Sequence, residues 1–294
     1  MRILITGKDG QLGHELVHAL APIGEVTSLG RQELDLAHPD AIRRVLRQIR
    51  PDVIVNPAAY TAVDRAESER DLATRVNATA PGILGAEAHS LGALLIHYST
   101  DYVFDGAQAT PYRETDDANP QSVYGLTKYQ GEQALAAATR RHLILRTSWV
   151  LGAHGNNFAK TMLRLASERN ELRVVADQIG APTSTALLAR VTADLVVAHA
   201  TSSENFAFGT YHVVAAGETH WCDYARFVVA EAQAAGKTLR ANPEAIHPIS
   251  AADYPTAAKR PASSRLSTEK LFRTFGWKMP PWQDAVRSVL QQIL

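Results

Sequence analysis

Apolar residues fall in short blocks through the first half of the chain, and these blocks alternate with stretches whose apolar positions recur every three or four residues. Arg2–Thr6 reads as a short buried strand, and Leu16, Val17 and Leu20 then give residues 14–21 the spacing of a helix. The strand pattern returns at residues 25–29, 53–55, 93–98 and 143–146. Helical patterning fills residues 39–49, about 66–91 with an interruption at Pro81-Gly82, and 122–138. Mostly apolar strands separated by amphipathic helices predict an α/β chain with a Rossmann-like, doubly wound parallel sheet covered on both faces. The second half is less regular. It shows a helix from 158 to about 168, a strand at 172–175, helices at 186–200, 221–235 and 282–294, and Pro/Ser/Ala-rich loops over 241–268. We expect residues 1–150 to form a dinucleotide-binding domain, with later segments returning to it. Residues 151–294 would form mainly a smaller substrate-binding region.

Composition narrows the field. The chain has 294 residues, 30 basic and 30 acidic side chains, and 46% apolar content. A length of this order buries a large core. Balanced charge argues against nucleic acid as a partner, and the lone Cys222 excludes an internal disulfide scaffold. No apolar stretch has the length of a membrane span, so no membrane partner and a cytoplasmic location are expected.

The chemistry starts at Gly7-Lys-Asp-Gly10-Gln-Leu-Gly13, placed between the first strand and the first helix. In that setting Gly7 permits a tight turn, Gly10 lets the backbone approach a pyrophosphate, and Gly13 lets helix and strand pack closely. After the second strand comes Gly30-Arg31-Gln32, with Asp35 further on. Arg31 suits a 2′-phosphate and leans the expectation toward NADPH, with NADH as a second cofactor and Asp35 available to ribose or adenine. Tyr124 and Lys128 stand four residues apart, on one face of a helix. A cation there is expected to lower the phenol's pKa and make Tyr124 a proton donor to a carbonyl oxygen. Ser99 and Thr100 precede them on a strand and point to opposite faces, so one of the two hydroxyls would hold the carbonyl. Asp101 reads as a hydrogen-bond acceptor or turn former. Trp149 reads as a stacking platform or as core.

The glycine turn with Tyr124-x-x-x-Lys128 resembles the extended short-chain dehydrogenase/reductase superfamily. Longer strings narrow this resemblance. They are Asp52-Val-Ile-Val-Asn-Pro-Ala-Ala-Tyr-Thr-Ala-Val-Asp64, Tyr98-Ser-Thr-Asp-Tyr-Val-Phe-Asp105, Arg146-Thr-Ser-Trp-Val150, Gly155-Asn-Asn-Phe-Ala-Lys-Thr-Met162, Asp177-Gln-Ile-Gly-Ala-Pro-Thr183 and Arg260-Pro-x-x-Ser-Arg265. Together they resemble the dTDP-4-dehydrorhamnose reductases almost from end to end. The resemblance implies NAD(P)H-dependent reduction of a 4-keto dTDP-sugar, the last step of dTDP-rhamnose synthesis. It implies Tyr124 as proton donor, Lys128 as its partner, and Thr100 as the hydroxyl that orients the ketone. Thr100, Asp101 and Trp149 would touch the sugar. Gly10, Gln11, Leu12, Asp35, Leu36, Ala59, Tyr60, Thr61, Tyr98, Tyr124 and Lys128 would line the cofactor. Tyr60 stands where a histidine is common. Some relatives dimerise through a magnesium ion, and a homodimer is allowed here. Of the acids for that ion Glu15 is present, but residues 184–191 supply none, so no metal is expected. Two rivals share the fold. One is a non-catalytic NADP-binding regulatory subunit, disfavoured by the retained Tyr124, Lys128 and Thr100. The other is an epimerase or dehydratase, disfavoured because Asp101 alone follows Thr100.

Overall fold

Strands and helices alternate as the sequence pattern requires in the computed structural model, which describes residues 1–202 and 206–294. The first half runs β1 (Arg2–Thr6), α1 (Gln11–Leu20), β2 (Glu25–Leu29), α2 (Pro39–Ile49), β3 (Val53–Asn56), α3 (Val63–Ala66), α4 (Arg70–Thr74), α5 (Ala80–Leu91), β4 (Leu94–Thr100), α6 (Val123–Ala138) and β5 (His142–Thr147). The second half continues with β6 (Val150–Leu151), α7 (Phe158–Glu168), β7 (Leu172–Val175), β8 (Ile179–Gly180), β9 (Thr183–Ser184) and α8 (Thr185–Thr201). It ends with β10 (Gly209–His212), β11 (Thr219–His220), α9 (Trp221–Ala234), β12 (Ile246–Ile249), α10 (Glu269–Phe275) and α11 (Trp282–Ile293).

Six strands form the main sheet in the order β10-β5-β4-β3-β1-β2, and every neighbouring pair is parallel. Parallel neighbours need crossover helices, which cover both faces. The residues sort accordingly. Ile3, Ile5, Val55, Ile96 and Leu145 enter one core with α1 and α8, whereas Leu4, Ile54, Leu95 and Ile144 enter another with α2 and α5. Period-two alternation sends successive apolar side chains to opposite layers, so all of β4 is buried. The second half supplies the sixth strand, β10, and also α8, which packs along α1. Small two-stranded pairings, β7 with β12, β6 with β9, and β8 with β11, hold the remaining segments above the strand ends.

One expectation is corrected here. Pro81-Gly82 does not interrupt the long helical stretch; α5 passes through both. The irregularity lies one turn earlier, where Arg75–Thr79 forms a π-helical turn between α4 and α5. Proline has no N–H to give the preceding turn, and a wider turn absorbs the missing bond. That turn also aims Asn77 inward. Its amide accepts from the Tyr60 N–H at 2.8 Å and donates to the Tyr60 carbonyl at 3.0 Å, which fixes the loop after β3.

Candidate active site

All the residues picked out from the sequence, from Gly7 to Trp149, line one cavity of about 680 Å³ at the carboxyl ends of the sheet strands. The glycine turn forms one end of it. Gly7 sits at φ +63°, a left-handed conformation that glycine takes without strain, and a Cβ on Gly13 would lie 2.0 Å from the Gly7 carbonyl oxygen. Helix α1 therefore starts directly against β1. Its N-cap is Gly10, with no side chain bonded back to the first turn. The first N–H groups of α1 are thus left for an anion, and the residues present fit a dinucleotide pyrophosphate. Arg31 lies at the same end, three-quarters exposed and 3.4 Å from Asp35. Asp35 is held below the ordinary carboxylate range: burial works against this, but the Ala37 N–H and Arg31 outweigh it.

The reaction centre is built by α6 and by the segment that leaves β4. Ser122 caps α6 by accepting from the Gly125 N–H at 3.2 Å. A Cβ on Gly125 would meet the Tyr102 carbonyl oxygen at 2.2 Å, so the absence of a side chain lets the helix start against the 3-10 turn Asp101–Val103. This contact brings Tyr124 to Thr100. The Thr100 hydroxyl also donates to Asp101 at 2.9 Å and accepts from the Tyr102 N–H at 3.2 Å. Ser99, across the pleat, is buried and its hydroxyl has no partner among the described residues.

The electrostatics differ from the sequence expectation. Lys128 does not depress the Tyr124 phenol. Burial pushes that phenol up to about 12, the Asp101 charge adds to this, and the Thr100 hydroxyl opposes both. The Lys128 ammonium bypasses the phenol, donating to the Tyr98 carbonyl at 2.6 Å and lying 3.2 Å from His97 Nε2. Burial lowers Lys128 to about 8, with Glu132 opposing. Asp101 is raised to about 6 by burial, against the hydroxyls of Ser264 and Thr100.

Other placements bear on what the site can hold. The side chain of Tyr98 turns to α8, with its hydroxyl 2.5 Å from that of Thr192. Tyr60 donates to Glu69 at 2.7 Å. Trp149 does line the cavity, at a left-handed φ of 47°, but its ring lies against Trp221 at 3.6 Å between centroids and 14° between planes. Trp221, Tyr102 and Asn77 were not legible as site residues; each is brought in by packing, with no local motif to mark it. A second hollow of about 920 Å³ shares Val63, Tyr102 and Trp221 with the first. Arg169, Arg173, Lys259 and Arg260 line it, and no carboxylate does among the described residues. Arg260 donates to Asp64 at 2.7 Å, while its Nη1 is buried without a partner among the described residues. Among the described residues there is no metal-binding cluster of His, Cys, Asp or Glu, and no helix is long and apolar enough to cross a membrane.

A doubly wound sheet with a glycine turn after β1, and a buried Tyr–Lys pair on α6, define an oxidoreductase of the short-chain dehydrogenase/reductase type. Within that class, the chain matches the family model described as the RmlD substrate binding domain over residues 1–294, and it belongs to that family. It is 48% identical over 297 residues to the dTDP-4-dehydrorhamnose reductase of Shigella flexneri, covering 100% of this chain and 98% of that protein. Identity to the enzyme of that name from Burkholderia thailandensis is 44% over 296 residues, covering 100% and 99%. The crystal structure of dTDP-4-dehydrorhamnose reductase from Bacillus anthracis in complex with NADP has a TM-score of 0.90 at 36% identity, covering 99% of both chains.

Proposed function

We propose that this chain reduces the 4-keto group of dTDP-4-dehydro-L-rhamnose to give dTDP-L-rhamnose, with NADPH as the preferred reductant and NADH as a second. The observation that carries this reading is the juxtaposition at the cavity floor. A buried phenol that stays protonated at neutral pH stands with the Thr100 hydroxyl in one cavity, between a glycine turn suited to a dinucleotide and a cationic hollow suited to a nucleoside diphosphate. The relatives at 44–48% identity over the full chain carry the name of this activity.

When bound, the reduced dinucleotide supplies a hydride to the carbonyl carbon. Thr100 holds the carbonyl oxygen, and Tyr124 transfers its phenolic proton to that oxygen as the C–H bond forms, so that C=O becomes CH–OH. A raised phenol pKa suits this direction, because the donor is fully protonated before each turnover. Lys128 uses one N–H on the Tyr98 carbonyl and faces His97 with another, leaving a third for the cofactor ribose. Asp101 accepts from a sugar hydroxyl. Arg260, with one unpartnered nitrogen facing its surroundings, takes the diphosphate together with Lys259. The cofactor lies on residues 1–150 and the sugar nucleotide mainly on 151–294 in this reading, with the enzyme in the cytoplasm.

The test is NADPH absorbance with the purified protein and dTDP-4-keto-L-rhamnose generated in situ, with NADH in parallel. Oxidation that depends on the keto sugar supports the reading. Cofactor binding without oxidation by either nucleotide overturns it in favour of a regulatory subunit.

A further inference from the structure

Beneath the cavity floor a row of polar side chains that the reduction itself leaves unused leads to Lys128. Thr6 ends β1, Asn56 ends β3, and His97 lies opposite Asn56 on β4; Lys128 closes the row from α6. All four are at most 2% exposed. The Thr6 hydroxyl donates to Asn56 Oδ1 at 2.6 Å, Asn56 Nδ2 faces His97 Nδ1 at 2.9 Å, and His97 Nε2 faces Lys128 Nζ at 3.2 Å.

Buried polar atoms need partners, and an ammonium can only donate. In the arrangement just described, Asn56 donates to Nδ1, so the neutral imidazole carries its proton on Nε2. That N–H points at Lys128, which can accept it only as the neutral amine. A charged Lys128 requires the opposite polarity. The ammonium then donates to Nε2, Nδ1–H donates to Asn56 Oδ1, and the amide, turned over without change of shape, donates through Nδ2 to Thr6. An ammonium against Nε2–H would set two donors face to face, so a charged Lys128 fixes the Nδ1–H tautomer. The neutral amine admits either, and Thr6 then favours Nε2–H, the polarity that keeps Asn56 Oδ1 as acceptor for its hydroxyl.

We infer that His97 is a positioning residue for Lys128, with its tautomer tied to the charge on that lysine. The row from Thr6 to His97 therefore helps decide when the cavity floor is positive. This rests on the reductase reading, in which that charge faces the cofactor. Few other charges intervene. Glu132, one turn further along α6, is held by Arg146 of β5 at 2.6 and 2.9 Å. Tyr124 is neutral, Asp101 lies beyond the end of β4, and the side chains that β1, β3 and the π-turn bond into this region are Thr6, Asn56 and Asn77, none of them ionisable. Burial and Lys128 hold His97 well below the ordinary histidine range, which removes imidazolium as a third state near neutrality.

The test combines a titration with two variants. Histidine ¹⁵N shifts of the full-length protein, with His97 assigned by its loss in His97→Gln, are followed from about pH 6 to about pH 10 across the lysine range. The expected result is Nδ1–H below about 8 and Nε2–H above it, following Lys128. A single tautomer throughout overturns the inference. In kcat against pH, His97→Leu deprives the ammonium of its acceptor, and its alkaline limb is expected about one unit lower. His97→Gln, which keeps an acceptor near the Nε2 position, should stay within about threefold of the parent at neutral pH. Equal losses at every pH with an unmoved limb would make His97 a packing residue only. If His97→Leu does not fold, the titration and His97→Gln decide. If the parent turns over no keto sugar, the reductase reading fails, while the titration still settles the row.

Discussion

A single methyl group on Gly125 tests whether the close approach of α6 to the segment after β4 is what seats Tyr124. The added Cβ would lie 2.2 Å from the Tyr102 carbonyl oxygen, against 3.4 Å for ordinary contact, so about 1.2 Å must be recovered by movement. Both partners are backbone, and neither is the free end of a flexible side chain. Tyr124 is the next residue in the chain, and its ring meets that of Tyr102 edge-on at 5.5 Å, so the phenol moves with the helix. A misplacement of about 1 Å at a reacting group costs on the order of 10²-fold in rate. Overpacking costs about 1–3 kcal/mol of stability, of which alanine's better helix propensity offsets up to about 1 kcal/mol. Gly125→Ala is therefore expected to lose about two orders of magnitude in kcat and a few degrees in Tm. NADPH affinity should hold, because the glycine turn lies at the other end of the cavity. Steady-state NADPH oxidation, a fluorescence titration of NADPH and a thermal melt read the three quantities. A variant within about threefold of the parent in kcat, with an unchanged melt, refutes the reasoning.

Three more outcomes are expected. Tyr124→Phe removes the proton donor and should lower kcat by about 10²- to 10⁴-fold while sparing NADPH affinity; near-normal turnover sinks the assignment. Arg31→Ala should weaken NADPH by about five- to tenfold and NADH by less than about twofold, the exposed position moderating the effect; equal losses remove Arg31 from the phosphate role. Asp101→Asn bears on pH. Burial raises this carboxyl from 3.8 to about 6, so the folded chain holds the proton more tightly than the unfolded chain and loses stability as pH rises through that window. The amide escapes this, so the variant should match the parent near pH 4 and exceed it by up to about 3 kcal/mol above pH 6. Chemical denaturation at several pH values measures the gap, and a gap that does not grow across the window contradicts the assigned burial.

Much of this was legible in the sequence for local reasons. Helix α2 was read residue for residue, since Pro39 starts it and its apolar positions keep a helical period. The glycine turn and the Tyr124–Lys128 spacing are likewise contained within single short stretches. What could not be read depends on distant partners. β10 has only four residues, with Thr210 and His212 among them, and becomes a strand because β5 offers an open edge. β12 contains Pro248 and lies in what reads as a loop; its pairing with β7 is set by a segment about seventy residues away. The spacing of Tyr124 and Lys128 correctly put both on one face of α6. It could not reveal that the lysine reaches past the phenol to His97 and the Tyr98 carbonyl, because those acceptors belong to β4. The same limit hid Trp221, whose stacking on Trp149 is a contact between elements.

The late arrival of β10 and α8 also shapes how the chain is made. A nascent chain that ends at residue 150 has β1 to β5 but no partner for the outer edge of β5, and nothing from α8 over the exposed side of α1. It presents an unpaired edge on a strand whose side chains, all but that of His142, are buried in the finished fold, the kind of edge that recruits a second chain. Synthesis must run past His212 before the sheet can close. The opening residues thus wait, partly folded and prone to aggregation, for a strand encoded sixty residues later. Truncations made to isolate the nucleotide-binding half should therefore be soluble only when they extend through β10.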